Sequence, residues 1–441
     1  MLDCNYEGTN QVIGISEDRW NLQIPFALGL CCALLVGFQV PARSQTPDYQ
    51  VHGDQCKTLI EQGKPEQAAS ECREAIRLNP RYPQAHSRLC AIYDNQWKLD
   101  EAITECRTAI QLDPNYPAAH YNLGLALKRE GDLDAAITEY KKAISLRPEH
   151  AEAHNNLASA LLAKGDAAGA MTEAREALRL KPDYPEAHYN LALALAGEHD
   201  AKGAITQLQI AVQLKPDYPE ARMELGIGLA IQGDMNGAIQ QFREAIRLRP
   251  TYANAHYNLG VAFSSIHQPD QAIAQYRETI RLRPEVPNAY YNLGVVLGDQ
   301  GHYSEAAGQF REAIRLKPNY SEARFNLAVM LLRQHNLDGA IQELQETLRV
   351  TPDYKPAQEF LNKLLDYRRN EQKRIQSPPQ QPPPSVYSEE LIRLQAWHAA
   401  LAGTRRTFSQ RSGECASRST YSNGEEGESY SSCMSQTEDE Q

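Results

Sequence analysis

Proline returns every 34 residues through most of this chain, at Pro80, Pro114, Pro148, Pro182, Pro216, Pro250, Pro284, Pro318 and Pro352. No insertion breaks that register, so residues 49–354 form one array of nine units. A fixed period leaves few folds open to the chain. It marks a solenoid, and a 34-residue unit points to paired helices.

Residues 117–150, PAAHYNLGLALKREGDLDAAITEYKKAISLRPEH, show the physical basis. Leu123 and Leu127, then Ala136, Tyr140, Ala143 and Ile144, recur at helical spacing and give two amphipathic helices. Gly131-Asp132 between them is a turn, because glycine supplies the left-handed backbone that ends the first helix. Pro148 stops the second helix, and proline at the Pro117 position suits the first turn of a helix. One hairpin has too little interior to fold alone, so each must bury its faces on its neighbours.

The array resembles the tetratricopeptide repeat family, on His120, Leu123, Gly124, Leu127, Ala136, Tyr140, Ala143 and Pro148 of the third unit. The fourth position, usually Trp or Tyr in that family, is here mostly His. The resemblance implies an all-α, right-handed superhelical solenoid of about nine helical hairpins with flexible termini. It is specific for fold and says little of function, since this fold serves many partners. The domain reading is a leader over 1–42, repeats over 49–354 and a capping helix over 355–374. A Pro-rich linker (375–387) and a Ser- and Glu-rich tail with one short helix (388–441) follow.

Four cysteines lie in the first two units, Cys56 and Cys90 at the eighth repeat position and Cys72 and Cys106 at the twenty-fourth. These positions are symmetric about the turn and so face each other across the hairpin. Packed helices ~8–10 Å apart bring inward-facing Cα atoms to roughly 4–6 Å, within disulfide range. The expected pairs are Cys56–Cys72 and Cys90–Cys106, each worth about 3 kcal/mol in the chain-entropy account.

In the resembled family the first helices line the concave side, which implies a ligand-facing role for their fifth, sixth and ninth positions. The sixth reads Asn122, Asn156, Asn190, Asn258, Asn292 and Asn326, interrupted by Glu224. Tyr121, Tyr189, Tyr257 and Tyr291 stand at the fifth, and Leu125, Leu193, Val261 and Val295 at the ninth. A carboxamide offers both donor and acceptor, so such a ladder can pair with an extended peptide backbone whatever its side chains. It is similar to the Asn-lined repeat arm of O-linked N-acetylglucosamine transferase, but the polar residues outside the array are too few for that enzyme's catalytic domain. The competing reading is that each Asn satisfies hydrogen bonds between repeats.

Half of the 12 histidines occupy the fourth position: His52, His86, His120, His154, His188 and His256. A column repeating at ~10 Å cannot converge on one metal ion, so packing in place of an aromatic is expected and no metal or other cofactor is called for. A net charge of −11 speaks against nucleic acid. No phosphate loop, His-Glu-x-x-His or Gly-x-Ser-x-Gly occurs, so no enzymatic activity is expected.

These features imply a non-catalytic scaffold that binds extended protein segments. The alternatives are an arm presenting substrates to a separate modifying enzyme, and an assembly factor working through its convex face. Residues 22–40, LQIPFALGLCCALLVGFQV, are an uncharged apolar run ending in Val40-Pro41-Ala42, which suits cleavage after Ala42 and export. An uncleaved anchor, with membrane contact through that run, is the second reading, and a cytoplasmic protein the third. The intact mass of native protein, with and without reduction, separates them. Export predicts loss of residues 1–42 and four array thiols that alkylate only after reduction; full length with every thiol free would place the array in the cytosol.

Overall fold

The computed structural model describes residues 46–376, all of whose regular structure is helical. The first three hairpins are α1 (Asp48–Glu61) with α2 (Pro65–Leu78), α3 (Pro83–Asn95) with α4 (Leu99–Leu112), and α5 (Pro117–Glu130) with α6 (Leu133–Leu146). The next three are α7 (Ala151–Ala163) with α8 (Ala167–Leu180), α9 (Pro185–Gly197) with α10 (Ala201–Leu214), and α11 (Pro219–Ile231) with α12 (Met235–Leu248). The last are α13 (Ala253–Ser265) with α14 (Pro269–Leu282), α15 (Pro287–Asp299) with α16 (Tyr303–Leu316), and α17 (Ser321–Arg333) with α18 (Leu337–Val350). A final helix, α19 (Lys355–Gln376), leans on α18 and buries Phe360, Leu361 and Leu364.

The turns follow local chemistry. Asp132, Asp166, Asp200, Asp234 and Asn336 cap the second helices, each accepting a backbone N–H three residues on at 2.8–3.0 Å. The residue before each of these caps is left-handed, Gly131 at φ 102° and His199 and His335 at 61–64° among them, and so is His267 before the uncapped Gln268, at 58°. Trp97 takes the same conformation at φ 59°, which is rare for so bulky a side chain. It stands 67% exposed, with the Arg129 guanidinium 5.2 Å from its ring.

In the hairpins with Gly or Cys at the eighth position, that residue touches the twenty-fourth. Tyr140 lies so close over Gly124 that a Cβ there would come within 2.7 Å of the ring, and Phe242 over Gly226 repeats the contact at 2.6 Å. The first two hairpins fill the same space with cystines: Cys56–Cys72 and Cys90–Cys106 have Cα separations of 5.3 and 5.4 Å and no exposed surface. Neighbouring hairpins then share an apolar interior, so that Tyr276, Phe310 and Leu344 from three successive hairpins are buried in one cluster. Successive first helices also touch each other, α1 on α3, α3 on α5 and α7 on α9, whereas second helices lean on first helices; the first helices therefore form the inner side.

Among the described residues no helix is long and apolar enough to cross a membrane, and the run 22–40, the linker and the tail lie outside them. The seat at the eighth position generates a stability prediction. Gly260→Val would drive a side chain into the Tyr276 ring, 2.7 Å from where its Cβ must stand. A loss of about 1–3 kcal/mol is expected in urea unfolding.

Candidate peptide-binding face

The inner face is built from the sixth-position column, and hydrogen bonds across repeats set its geometry. Asn122 Nδ2 donates to the carbonyl and hydroxyl of Ser87 (both 3.1 Å), and Asn190 Nδ2 to Asn155 Oδ1 (2.8 Å). Asn156, Asn292 and Asn326 donate to the hydroxyls of Tyr121, Tyr257 and Tyr291 at 2.9, 2.9 and 3.2 Å. Every donor reaches the residue 35 positions back, the fifth position of the preceding repeat. The Asn donors and three of the tyrosine hydroxyls thus bind one another. The oxygens of the donating sixth-position carboxamides take no part in these bonds.

The tyrosines are also held by their rings. Tyr121 stacks on His150 (4.7 Å), Tyr189 on Tyr218 (5.2 Å) and Tyr291 on Tyr320 (5.0 Å), while Tyr257 meets Tyr276 at 6.0 Å. At the ninth position Leu125, Val261 and Val295 stay half-buried, and Leu193 is buried. Asn190 and Asn258 are buried too, whereas Asn122, Asn156, Asn292 and Asn326 keep part of their surface.

The column has a flaw in the sixth and seventh repeats. Met223 stands where repeats two to five, seven and eight place Ser, Tyr or Asn, and Asn258 Nδ2 has no hydrogen-bond partner. One repeat earlier, Glu224 replaces Asn on α11 and is 5% exposed. Burial alone pushes its carboxyl from 4.5 up to about 8, so at neutral pH it is mainly protonated and can donate as Asn does.

Charge on this face gathers at the amino-terminal end. Arg129 Nη1 bonds the Asp94 carbonyl (2.7 Å) and lies 3.3 Å from its carboxylate. Burial pushes the Asp94 carboxyl up against the pull of Arg129. Lys128 Nζ donates to Ser159 Oγ at 2.7 Å, and burial followed by the charge of Arg129 pushes the ammonium down to about 8. That ammonium is crowded by the concave surface, although part of the side chain still meets solvent.

The outer face is paired within itself. Arg77–Glu74, Arg179–Glu176, Arg247–Glu244, Arg281–Glu278, Arg315–Glu312 and Arg349–Glu346 lie one turn apart on second helices, largely exposed. Such pairs add little stability.

The histidine column is buried at His86, His120, His154 and His256, in the place of an aromatic, and is polar in its contacts. His86, His120 and His154 each bring Nδ1 to 2.6 Å from a glutamate of the second helix: Glu105, Glu139 and Glu173. Their Nε2 atoms lie 3.0–3.1 Å from the carbonyls of Pro80, Pro114 and Pro148, which close the preceding repeats. The sequence carried a trace of this, since His and Glu recur 19 residues apart in the first four repeats. Among the described residues no three His, Cys, Asp or Glu side chains gather as metal ligands would.

Known proteins carry the same unit. The tetratricopeptide repeat model matches residues 121–185 and 296–355, and a second TPR repeat model matches 98–131, 229–265 and 268–301. The chain is accordingly a tetratricopeptide-repeat protein, of a class that works through protein–protein contact. Among solved structures it is similar to pilF of Pseudomonas aeruginosa, at 22% identity over 48% of this chain and 97% of that one, with a TM-score of 0.44. MamA is similar at 27% identity, over 38% and 97% of the two chains, with a TM-score of 0.35. YrrB, described as a TPR protein with an unusual peptide-binding site, shares 26% identity over 42% and 95%, with a TM-score of 0.36. No curated protein matches the chain.

Glu224 supplies a pH test. Between 4.5 and about 8 the folded chain holds a proton that the unfolded chain has released, so stability falls as pH rises across that interval and levels off above it. Glu224→Gln is expected to remove this component, roughly 1.4 kcal/mol per pH unit traversed as an upper bound. In thermal unfolding the variant should match wild type near pH 4.5 and exceed it at pH 8.

Proposed function

We propose that this protein is a non-catalytic scaffold that holds extended segments of other proteins along the inner face of its array, outside the cytoplasm. The observation that carries the reading is the division of labour on that face. The Asn donors hold successive first helices together, while half-buried Leu125, Val261 and Val295 and the Asn side-chain oxygens remain for a partner. An extended chain, rising ~3.3 Å per residue, meets a repeat spaced at ~10 Å about every third residue. Its backbone N–H groups can donate to the Asn oxygens while its apolar side chains cover the ninth positions.

The self-paired outer face favours this reading over an assembly factor acting through the convex side, because its charges already have partners one turn away. Presentation of substrates to a separate modifying enzyme would use the same inner face and is a special case of the proposal. The cystines of the first two hairpins and the apolar run at 22–40 support a location in an oxidising compartment, periplasmic or extracellular, or at a membrane.

The test uses peptides selected from a random display library on the whole protein. The triple variant Leu125→Glu, Val261→Glu and Val295→Glu keeps the helical signature and should bind those peptides roughly a hundredfold more weakly, because each change buries a carboxylate without a partner. Equal affinity in wild type and variant would remove the inner face as the binding surface.

A further inference from the structure

We propose that repeats two to four carry a column of structural protons, one shared within each His–Glu pair, that lock adjoining hairpins together.

The argument is one of donors and acceptors. A peptide carbonyl can only accept, so the 3.0–3.1 Å contacts of His86, His120 and His154 with Pro80, Pro114 and Pro148 require a proton on Nε2. A neutral imidazole would then present a lone pair at Nδ1. The glutamate oxygen facing it at 2.6 Å also carries only lone pairs when ionised, and that distance is a hydrogen bond, not a repulsive gap. A proton must lie between them. Whether it rides on the imidazole or on the carboxyl, the pair holds one proton more than a neutral histidine beside a carboxylate.

The same chain contains its own controls. In repeats five and seven the glutamate is replaced by Gln207 and Gln275, 2.7 and 2.8 Å from His188 and His256. A carboxamide can turn its NH2 toward a neutral Nδ1, so these contacts close with no extra proton. In repeats six and nine Arg222 and Arg324 take the histidine's place and donate to the carbonyls of Pro216 and Pro318 with a guanidinium that does not titrate. His52 and Glu71 of the first repeat form the pair at 2.6 Å in a more open setting, with Glu74 and Arg77 nearby. The array therefore divides chemically. In repeats two to four the tie is proton-dependent, and in repeats five, six and seven it is not.

The surroundings favour retention of the proton. Around His86 stand Glu105 on α4 and the Pro80 carbonyl. Around His154 stand Glu173 and Glu176 on α8, the latter bonded to Arg179, with His150 and Glu152 at the start of α7. His120 faces Glu139 on α6 and the Pro114 carbonyl. Burial works against charge at His86 and His154, but the carboxylate bond, the carbonyl bond and the carboxylate's charge together lift both above the ordinary 6.5. A raised histidine stabilises the fold fully below the unfolded value, and that contribution is lost as pH climbs through the folded one. Each tie joins the end of one repeat to both helices of the next, so its loss loosens the amino-terminal stretch of the inner face, where Leu125 and Lys128 lie.

The experiment follows imidazole nitrogens by NMR in the whole protein labelled with 15N-histidine. At pH 6 a proton is expected between Nδ1 and the carboxylate at His86, His120 and His154. In Glu224→Gln protein, raising the pH to 9 should remove the shared protons at His86 and His154 and speed amide exchange in α3–α8, corrected for its intrinsic pH dependence, by roughly tenfold or more, leaving α9–α14 unchanged. In a Glu224→Gln background, Glu105→Gln, Glu139→Gln and Glu173→Gln together should abolish that acceleration. Bare Nδ1 atoms at pH 6 in the three histidines would overturn the proposal, and so would the same acceleration in the Gln variant. The NMR arm needs only wild type, so a variant that fails to fold does not shield the idea.

Discussion

The array rests on a short-range steric contact, the seating of a second-helix side chain against the eighth position of its first helix. Two helices can approach closely only where one of them is nearly bare. Gly124 under Tyr140 and Gly226 under Phe242 meet that condition with glycine, and Ala158 opposite Ala174 with two small residues. The first two repeats meet it with a covalent bond of similar bulk. What recurs from hairpin to hairpin is a buried contact between the helices rather than one chemistry, as expected where dense packing governs stability. Among the described residues the first hairpin has a neighbouring hairpin on one side only, and a cystine braces it; α19 does the corresponding work at the other end by burying Phe360 and Leu364.

Close stacking creates a second requirement. Polar groups caught between repeats lose water and must find partners there. The chain meets it with translation: a donor on one repeat finds its acceptor 35 residues back, at Tyr121, Asn155, Tyr257 and Tyr291. The histidines do the same between a proline carbonyl and a glutamate. Each tie contributes about 1 kcal/mol in net terms, but leaving one unmade costs more, so these bonds fix the angle between hairpins more than they add to stability. Where the column breaks, at Met223 and Glu224, a buried donor goes unmatched and a buried carboxyl keeps its proton.

Much of the fold could be read in the sequence because its determinants are local. Helix ends follow from Pro and Asp caps, the left-handed turns from Gly131 and from the tolerance of His199, His267 and His335, and the facing of Cys56 and Cys72 from symmetry about one turn. The inner face was legible only as a list of columns. That Asn156 would spend its donor on Tyr121, and that His120 would sit between Glu139 and the Pro114 carbonyl, depends on the angle between hairpins, which no stretch of sequence encodes. Trp97 shows the limit from the other side: its position marks a turn, but nothing nearby in sequence announces the left-handed backbone or the contact with Arg129 from the next repeat.

The sequence by itself determined the repeat, the two helices of each unit, the turns between them and which side of each helix is apolar. These depend on 3.6-residue periodicity, on proline's missing N–H and on glycine's freedom, all of which act within one repeat. Only the tertiary structure decided which polar side chains are spent on neighbouring repeats. That outcome turns on side chains 19 and 35 residues apart reaching hydrogen-bonding distance, and the distance is set by how the hairpins stack.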